Sequence, residues 1–287
     1  MMLSLFIRSV KEAKRMILDY SEYVTERGSK GIVNYVRVDN GAALFTHDST
    51  CPFCQKRIDT KVYSNTKKDY PDWLFGSFDQ SEQVVQCPIC GWWEYKYSNQ
   101  SDAIVDGIRA SDIEYSSAIL KKYKDDSIEV PVNVLREYLQ DNPEVIYKIN
   151  PHKMEELVRS VFADFYPSCK VVAFGKTRDG GKDGLLIDDS GKQFIIQVKQ
   201  HRAKKYTESV SVIRELIGVA MIEDNISGCI FVSTADHYSR EAKEAAQKVV
   251  DKEVIERFDL FNCEDFLKKV DLVSEKIPNS WQKLLKL

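Results

Sequence analysis

Residues 175–200, GKTRDGGKDGLLIDDSGKQFIIQVKQ, place an aspartate after a glycine-rich turn, then a glutamine and a lysine two residues apart in an apolar run. Alternate residues of an extended strand share a face. Phe194, Ile196 and Val198 are therefore expected to enter a core, while Ile195, Gln197 and Lys199 point the other way. Asp183 opens the neighbouring expected strand, so its carboxylate can approach Gln197 and Lys199 across a sheet. A carboxylate, an amide oxygen and an ammonium gathered in one place suit phosphodiester hydrolysis. Hard oxygen ligands hold Mg²⁺, which keeps several waters and bridges to a phosphate. Such an ion polarises the phosphoryl oxygen and supplies a hydroxide-like nucleophile near neutral pH. A lysine can orient the attacking water and offset charge building on phosphorus. The plainer alternative makes Asp183 a hairpin residue and the other two a solvated strand face.

A second chemistry lies in the cysteines. Cys51 and Cys54 form CPFC, and Cys87 and Cys90 form CPICGWW, with 32 residues between the two knuckles. Paired C-x-x-C turns in a reducing compartment point to Zn²⁺ rather than to disulfides. Each turn presents two thiolates, and two turns complete a tetrahedral Cys₄ shell. With the aromatic run Trp92, Trp93, Tyr95 and Tyr97, this resembles a zinc ribbon. A redox pair is the alternative, disfavoured because no βαβ pattern surrounds the cysteines. The intervening loop carries Lys56, Arg57, Lys61, Lys67 and Lys68 among Tyr63, Tyr70 and Trp73. It suits phosphate contact and base stacking, or the module serves only structural support or protein contact. Cys169, Cys229 and Cys263 stand apart and read as core thiols.

Several elements must hold these residues. Apolar spacing predicts an amphipathic helix over residues 1–20; Asn40-Gly41 signals a hairpin. Residues 101–126 read as a charged helix and 130–151 as a shorter one stopped near Pro143. The run NPHKMEELVRSVFADFY spaces Met154, Leu157, Val158, Val161, Phe162 and Phe165 as a helix carrying Glu155 and Glu156 in its first turns. CKVVAFG, DGLLIDD and KQFIIQVKQ read as strands, the last two joined through Asp189-Ser190-Gly191. TESVSVIRELIGVAMIED, SREAKEAAQKVVD and CEDFLKKV read as helices, with GCIFVST a buried strand. The fold class is α/β, with expected domains at 1–100 (helix and zinc module), 101–149 (helical connector) and 150–287.

The 287 residues allow about two domains, and the composition, 43% hydrophobic and 30% charged, is that of a globular protein. No apolar run reaches the ~18 residues of a membrane span. The N-terminal run is broken by Arg8, Lys11, Lys14 and Arg15, unlike a signal peptide, so a cytoplasmic location is expected. The net charge of −3 hides a basic segment: residues 148–205 hold twelve Lys and Arg against seven Asp and Glu. That local surplus suits a polyanion, or a solvated surface.

Residues from about 150 to 270 resemble the Mrr-like restriction endonuclease domain, a branch of the PD-(D/E)XK nuclease superfamily. NPHKMEELV resembles its opening helix and places the acidic residue at Glu155, with Glu156 as the neighbouring alternative. TRDGGKDG matches the glycine-rich aspartate turn and puts the metal-binding carboxylate at Asp183. QVK matches the Gln-x-Lys of this branch, at Gln197 and Lys199. GCIFVSTADHYSREAKEAAQ resembles the later strand, turn and helix. The resemblance implies a mixed sheet flanked by helices in αβββαβ order, and Mg²⁺-dependent cleavage of DNA, with Mn²⁺ as a substitute ion. By family analogy it also implies restriction or antiphage defence, with a defence-system partner protein, and a homodimer or higher homo-oligomer for cutting both strands. A protein that keeps the fold only to bind nucleic acid or recruit a partner is the alternative. Gln197 replaces a second carboxylate, so Glu155 would compensate. Asp179 is a ligand or caps its turn. His201, Arg202, Lys204 and Lys205 suit phosphate contacts or an exposed loop, Ser233 and Thr234 suit a phosphate contact, and His152 and His237 carry no signal.

Overall fold

The computed structural model describes residues 16–30, 50–55, 57–58, 61–70, 77–101, 111–173, 182–203, 205–273 and 279–287. The chain packs as two units, Met1–Lys122 with Pro278–Leu287, and Tyr123–Ile277. The first is thus discontinuous, and the segment expected as one helical connector is divided between them.

In the first unit, β2 (Tyr23–Lys30), β3 (Lys61–Asp69), β4 (Phe78–Gln86), β5 (Trp93–Ser101) and β6 (Ser111–Ala118) form an antiparallel sheet in the order β2-β6-β5-β4-β3. The short strands β1 (Ile17–Asp19) and β7 (Lys121–Tyr123) flank it in sequence. Two expectations change here. The helix expected over 1–20 falls largely outside the described residues, and its last part is β1. Residues 111–118 are a central strand rather than a helix, because pairing on both edges, to β2 and β5, outweighs a weak apolar period. Asn40-Gly41 lies outside the described residues.

One face of this sheet buries acids. Arg27, Glu114, Tyr97 and Glu82 lie opposite one another across four strands, and Glu82 is 0% exposed. A buried carboxylate needs donors. Glu82 accepts the hydroxyls of Tyr63 at 2.9 Å and Tyr95 at 3.2 Å. It also accepts the main-chain N–H groups of Lys286 at 2.9 Å and Leu287 at 3.2 Å. Glu114 accepts from Arg27 Nε at 2.7 Å and Lys286 Nζ at 3.0 Å. Burial pushes its pKa up, but these two cations outweigh that and hold it below the ordinary carboxylate value. The 3₁₀ turn Ser280–Leu284 adds buried Trp281 to the same core.

The second unit is built on a five-stranded mixed sheet, ordered β14-β12-β10-β9-β8. Its strands are β8 (Lys170–Val172), β9 (Gly184–Ile187), β10 (Gln193–Lys199), β12 (Ile226–Ser233) and β14 (Arg257–Phe261). A two-residue pair, β11 (Thr207–Glu208) with β13 (His237–Tyr238), stands beside it in sequence. The helices are α1 (Val132–Asp141), α2 (Pro151–Phe165), α3 (Val210–Ile222), α4 (Arg240–Asp251) and α5 (Cys263–Val273). The expected αβββαβ order is present as α2-β8-β9-β10-α3-β12.

The start of α2 follows from its sequence. Asn150 Oδ1 accepts the His152 N–H at 3.0 Å, and Pro151 sits at the first helical position, where no N–H is needed. Its stripe of Met154, Leu157, Val158, Val161 and Phe162 is buried, with Phe162 against Phe261 of β14 and Phe266 of α5. The other sheet face packs Ile195, Cys229 and Phe231 against Ile213 and Leu216 of α3 and Ala242 and Ala246 of α4. Strand β10 is therefore covered on both sides: Phe194, Ile195 and Ile196 are all buried. That corrects the expectation of a single core-facing side, and it explains the continuous apolar run.

Gly228 in β12 marks a tight point in this sheet. A Cβ there would lie 2.4 Å from the Arg257 carbonyl oxygen and 2.8 Å from Phe194. Gly228→Ala is expected to lower unfolding free energy by about 1–3 kcal/mol in urea denaturation. Gly218→Ala, whose Cβ meets open space within α3, should instead stabilise by about 1 kcal/mol.

Candidate active site and metal centre

The four knuckle cysteines come together. Their sulfurs lie within 4.8 Å of one another, and among the described residues they form the one cluster of three or more His, Cys, Asp or Glu suited to a metal. The two knuckles repeat one backbone device. The carbonyl of the first cysteine accepts the N–H four residues on, Gln55 to Cys51 at 3.0 Å and Gly91 to Cys87 at 2.9 Å. The residue after each second cysteine takes the left-handed region, at φ +55° for Gln55 and +81° for Gly91. Glycine does so freely and glutamine at some cost.

The geometry fits zinc. A tetrahedral ion with Zn–S near 2.3 Å sets its sulfurs about 3.8 Å apart, and Cys51 Sγ lies 3.7 Å from Cys90 Sγ. The hydrogen bond from the Cys51 thiol brings Cys90 down to about 5, while burial pushes Cys54 up to about 12. Four thiolates cannot share this pocket without a cation to offset their charge. Purified protein should carry one zinc equivalent per chain by elemental analysis. Cys87→Ser should lose that metal and melt the first unit while the helical circular dichroism of the second persists.

In the second unit, register brings Asp183 to Gln197. Strand β9 pairs with β10 as far as Gly184 opposite Ile196, which sets Asp183 beside Gln197. There the ladder changes partner. The Asp183 N–H goes to the Ile196 carbonyl at 2.9 Å, and its carboxylate Oδ2 accepts the Val198 N–H at 2.6 Å. An ionised carboxylate has about four acceptor positions. Gln197 Oε1 is buried and accepts no hydrogen bond. A buried amide oxygen left in this state calls for an explanation such as an ion, and the donor set, carboxylate with amide oxygen, is that of a hard divalent cation. Lys199 follows two residues on from Gln197 and is exposed. Asp179 and the glycine pair after it lie outside the described residues.

Glu155 and Glu156 part company on α2. Glu156 Oε2 takes Nζ of buried Lys153 at 2.6 Å. Glu155 lies 3.7 Å from His152 Nδ1 and 4.0 Å from Arg159 Nη1. Arg159 also donates to the Asp183 carbonyl at 2.7 Å. One guanidinium therefore joins the Glu155 helix to the Asp183 turn. Gly184 makes room for it, since a Cβ there would meet the Arg159 stem at 3.3 Å. The i, i+4 spacing of Glu155 and Arg159 was the available sequence signal.

A second network, not foreseen as such, lies just past β10. Glu208, 1% exposed, accepts His201 Nε2 at 2.5 Å and Ser233 Oγ at 2.9 Å. Thr234 Oγ1 accepts the His201 N–H at 2.7 Å and donates to its carbonyl at 3.1 Å. Ser233 and Thr234 are thus buried and committed internally, which corrects their expected role as phosphate contacts. His201 is pinned rather than loose, whereas Arg202 and Lys205 are exposed; Lys204 lies outside the described residues. His237 Nε2 is 2.8 Å from Thr207 Oγ1.

A helix-flanked mixed sheet thus sets Asp183 and Gln197 beside each other at a strand fork. Residues 146–263 match the family model Mrr_cat, described as a restriction endonuclease, so this segment is an Mrr-like restriction endonuclease domain. A solved structure titled as a repair endonuclease from Pyrococcus abyssi is similar over 64% of this chain and 78% of its own, at 12% identity. Its TM-score of 0.24 is too low to carry an argument. No curated protein matches. Among the described residues, no helix is long and apolar enough to cross a membrane.

Proposed function

We propose that this protein is a metal-dependent DNA endonuclease that hydrolyses phosphodiester bonds, with Asp183, Gln197 and Glu155 holding Mg²⁺ or Mn²⁺ and Lys199 beside the reacting phosphate. The observation that carries this reading is the buried, unpartnered Oε1 of Gln197 next to the Asp183 carboxylate. When bound, the ion supplies Lewis-acid polarisation and an acidified water. Asp183 contributes negative charge fixed by the Val198 N–H. Gln197 contributes an oxygen without charge, so affinity for the ion leans on Asp183 and Glu155. Lys199, exposed at the end of its strand, can orient the attacking water and offset charge on the phosphoryl oxygens. Arg159 acts as a positioning residue between Glu155 and Asp183.

The restriction-endonuclease description of the matched family supports DNA as substrate and restriction or antiphage defence as the setting. A cytoplasmic location, a defence-system partner and a homo-oligomer belong to the same reading, since concerted cutting of both strands needs two sites. Structural zinc in the first unit completes it.

Incubation of supercoiled plasmid with protein and Mg²⁺ should give nicked or linear DNA, abolished by EDTA. Asp183→Ala and Lys199→Ala should each reduce the rate by at least about a hundredfold; Lys199→Ala should keep the wild-type melting temperature, whereas Asp183→Ala should lower it, because the Val198 N–H loses its acceptor. Undiminished cutting by both variants would refute the assignment. Arg159→Ala should raise the Mg²⁺ concentration for half-maximal rate, and Arg159→Lys should restore part of the difference.

A further inference from the structure

Two rings lie stacked immediately beyond the proposed cleavage strand. His201 and Tyr206 have centroids 3.7 Å apart and planes tilted by 19°. The inner residue is held by hydrogen bonds to its ring and its backbone. Glu208 accepts its Nε2, and Thr234 clamps the His201 backbone at both N–H and carbonyl. The Tyr206 carbonyl accepts the Asp236 N–H at 3.0 Å. Lys205, just before it, takes φ +67°, a left-handed conformation uncommon for a side-chain-bearing residue and often kept at functional sites. It turns the chain so that Tyr206 folds back over His201. The outcome is a rigid inner imidazole and an outer phenol that remains 45% exposed.

A flat aromatic face, held in place and left open, is suited to receive another flat π-system. Arg202 and Lys205, both exposed, lie between the two ring residues in sequence, and exposed cations with an aromatic platform are the usual composition of single-strand nucleic-acid surfaces. Lys199 is only two residues from His201. Bases inside an intact duplex present edges rather than faces, so a stacking surface here selects for a base outside the helix.

We propose that Tyr206, backed by His201, is a stacking platform for an unpaired nucleobase next to the cut site, and that DNA carrying an unpaired or extruded base is the preferred substrate. This rests on the nuclease reading and adds its substrate class. Glu208 and Thr234 are positioning residues in it, since they act through His201.

The test uses full-length, zinc-loaded protein with no added Mg²⁺ and duplexes with 2-aminopurine either bulged out or fully paired, because its fluorescence falls on stacking. Wild-type protein should quench the bulged probe and bind it more tightly than the paired one. Tyr206→Ala should lose the quench and weaken binding of the bulged probe by about 5- to 150-fold, with binding of paired duplex unchanged. Tyr206→Phe should retain both, which separates stacking from misfolding. No quench in the wild type, or an equal quench in Tyr206→Ala, overturns the platform. Cleavage of the same duplexes in Mg²⁺ is read separately. Cutting without quench removes the platform and leaves the nuclease standing, whereas quench without cutting does the reverse.

Discussion

The carboxylate of Asp183 takes the place of a backbone carbonyl in the sheet. A continued ladder would have paired the backbone of β9 with Val198, but the side chain accepts that N–H instead. Strands β9 and β10 can then diverge without stranding a buried donor, whose loss would cost about 1–3 kcal/mol. The fork that results is where Gln197 keeps a free oxygen and where Lys199 emerges to solvent. Arg159 closes the other side by holding the Asp183 carbonyl, and Gly184 clears its path. The geometry of the proposed site is thus one strand-end hydrogen bond together with what it leaves unpaired.

The first unit, with its four-cysteine cluster, solves a different problem by similar means. One face of its sheet carries carboxylates where a core would ordinarily carry apolar groups, and its knuckles gather four thiols inside an apolar cluster. Each deficit is met by a concentrated electrostatic contact. At one end four sulfurs are set at the spacing of a tetrahedral ion. On the sheet face, two hydroxyls and two main-chain donors converge on Glu82. Replacing apolar burial with such contacts makes the unit dependent on few partners, because a buried charge left without them is strongly unfavourable.

Much of the nuclease unit was legible in the sequence because its signals are local. The stripe from Met154 to Phe162, the turn at Gly191 with φ +84°, and the apolar run of β10 each declare an element within a dozen residues. Asp183, Gln197 and Lys199 stood out because polar residues interrupt that pattern. What escaped was non-local. Glu208 reads as one acid among many until β11 folds it beneath His201, and Ser233 and Thr234 look available until that network claims them. Strand β6 was misread because serines and acids on a buried sheet face give no apolar alternation; Ser116 is 0% exposed and Glu114 7%. The row of Arg27, Glu114, Tyr97 and Glu82 exists only once four strands are in register.

The inserted topology has a consequence for biosynthesis. The strands bearing Glu82 and Glu114 leave the ribosome early, yet the backbone donors of Lys286 and Leu287 follow only after the whole intervening unit. Glu82 cannot gain these two donors until the intervening residues have been synthesised. Completion of the first unit therefore follows synthesis of the whole second unit. A chain cut off within the second unit would leave Glu82 without the Lys286 and Leu287 donors.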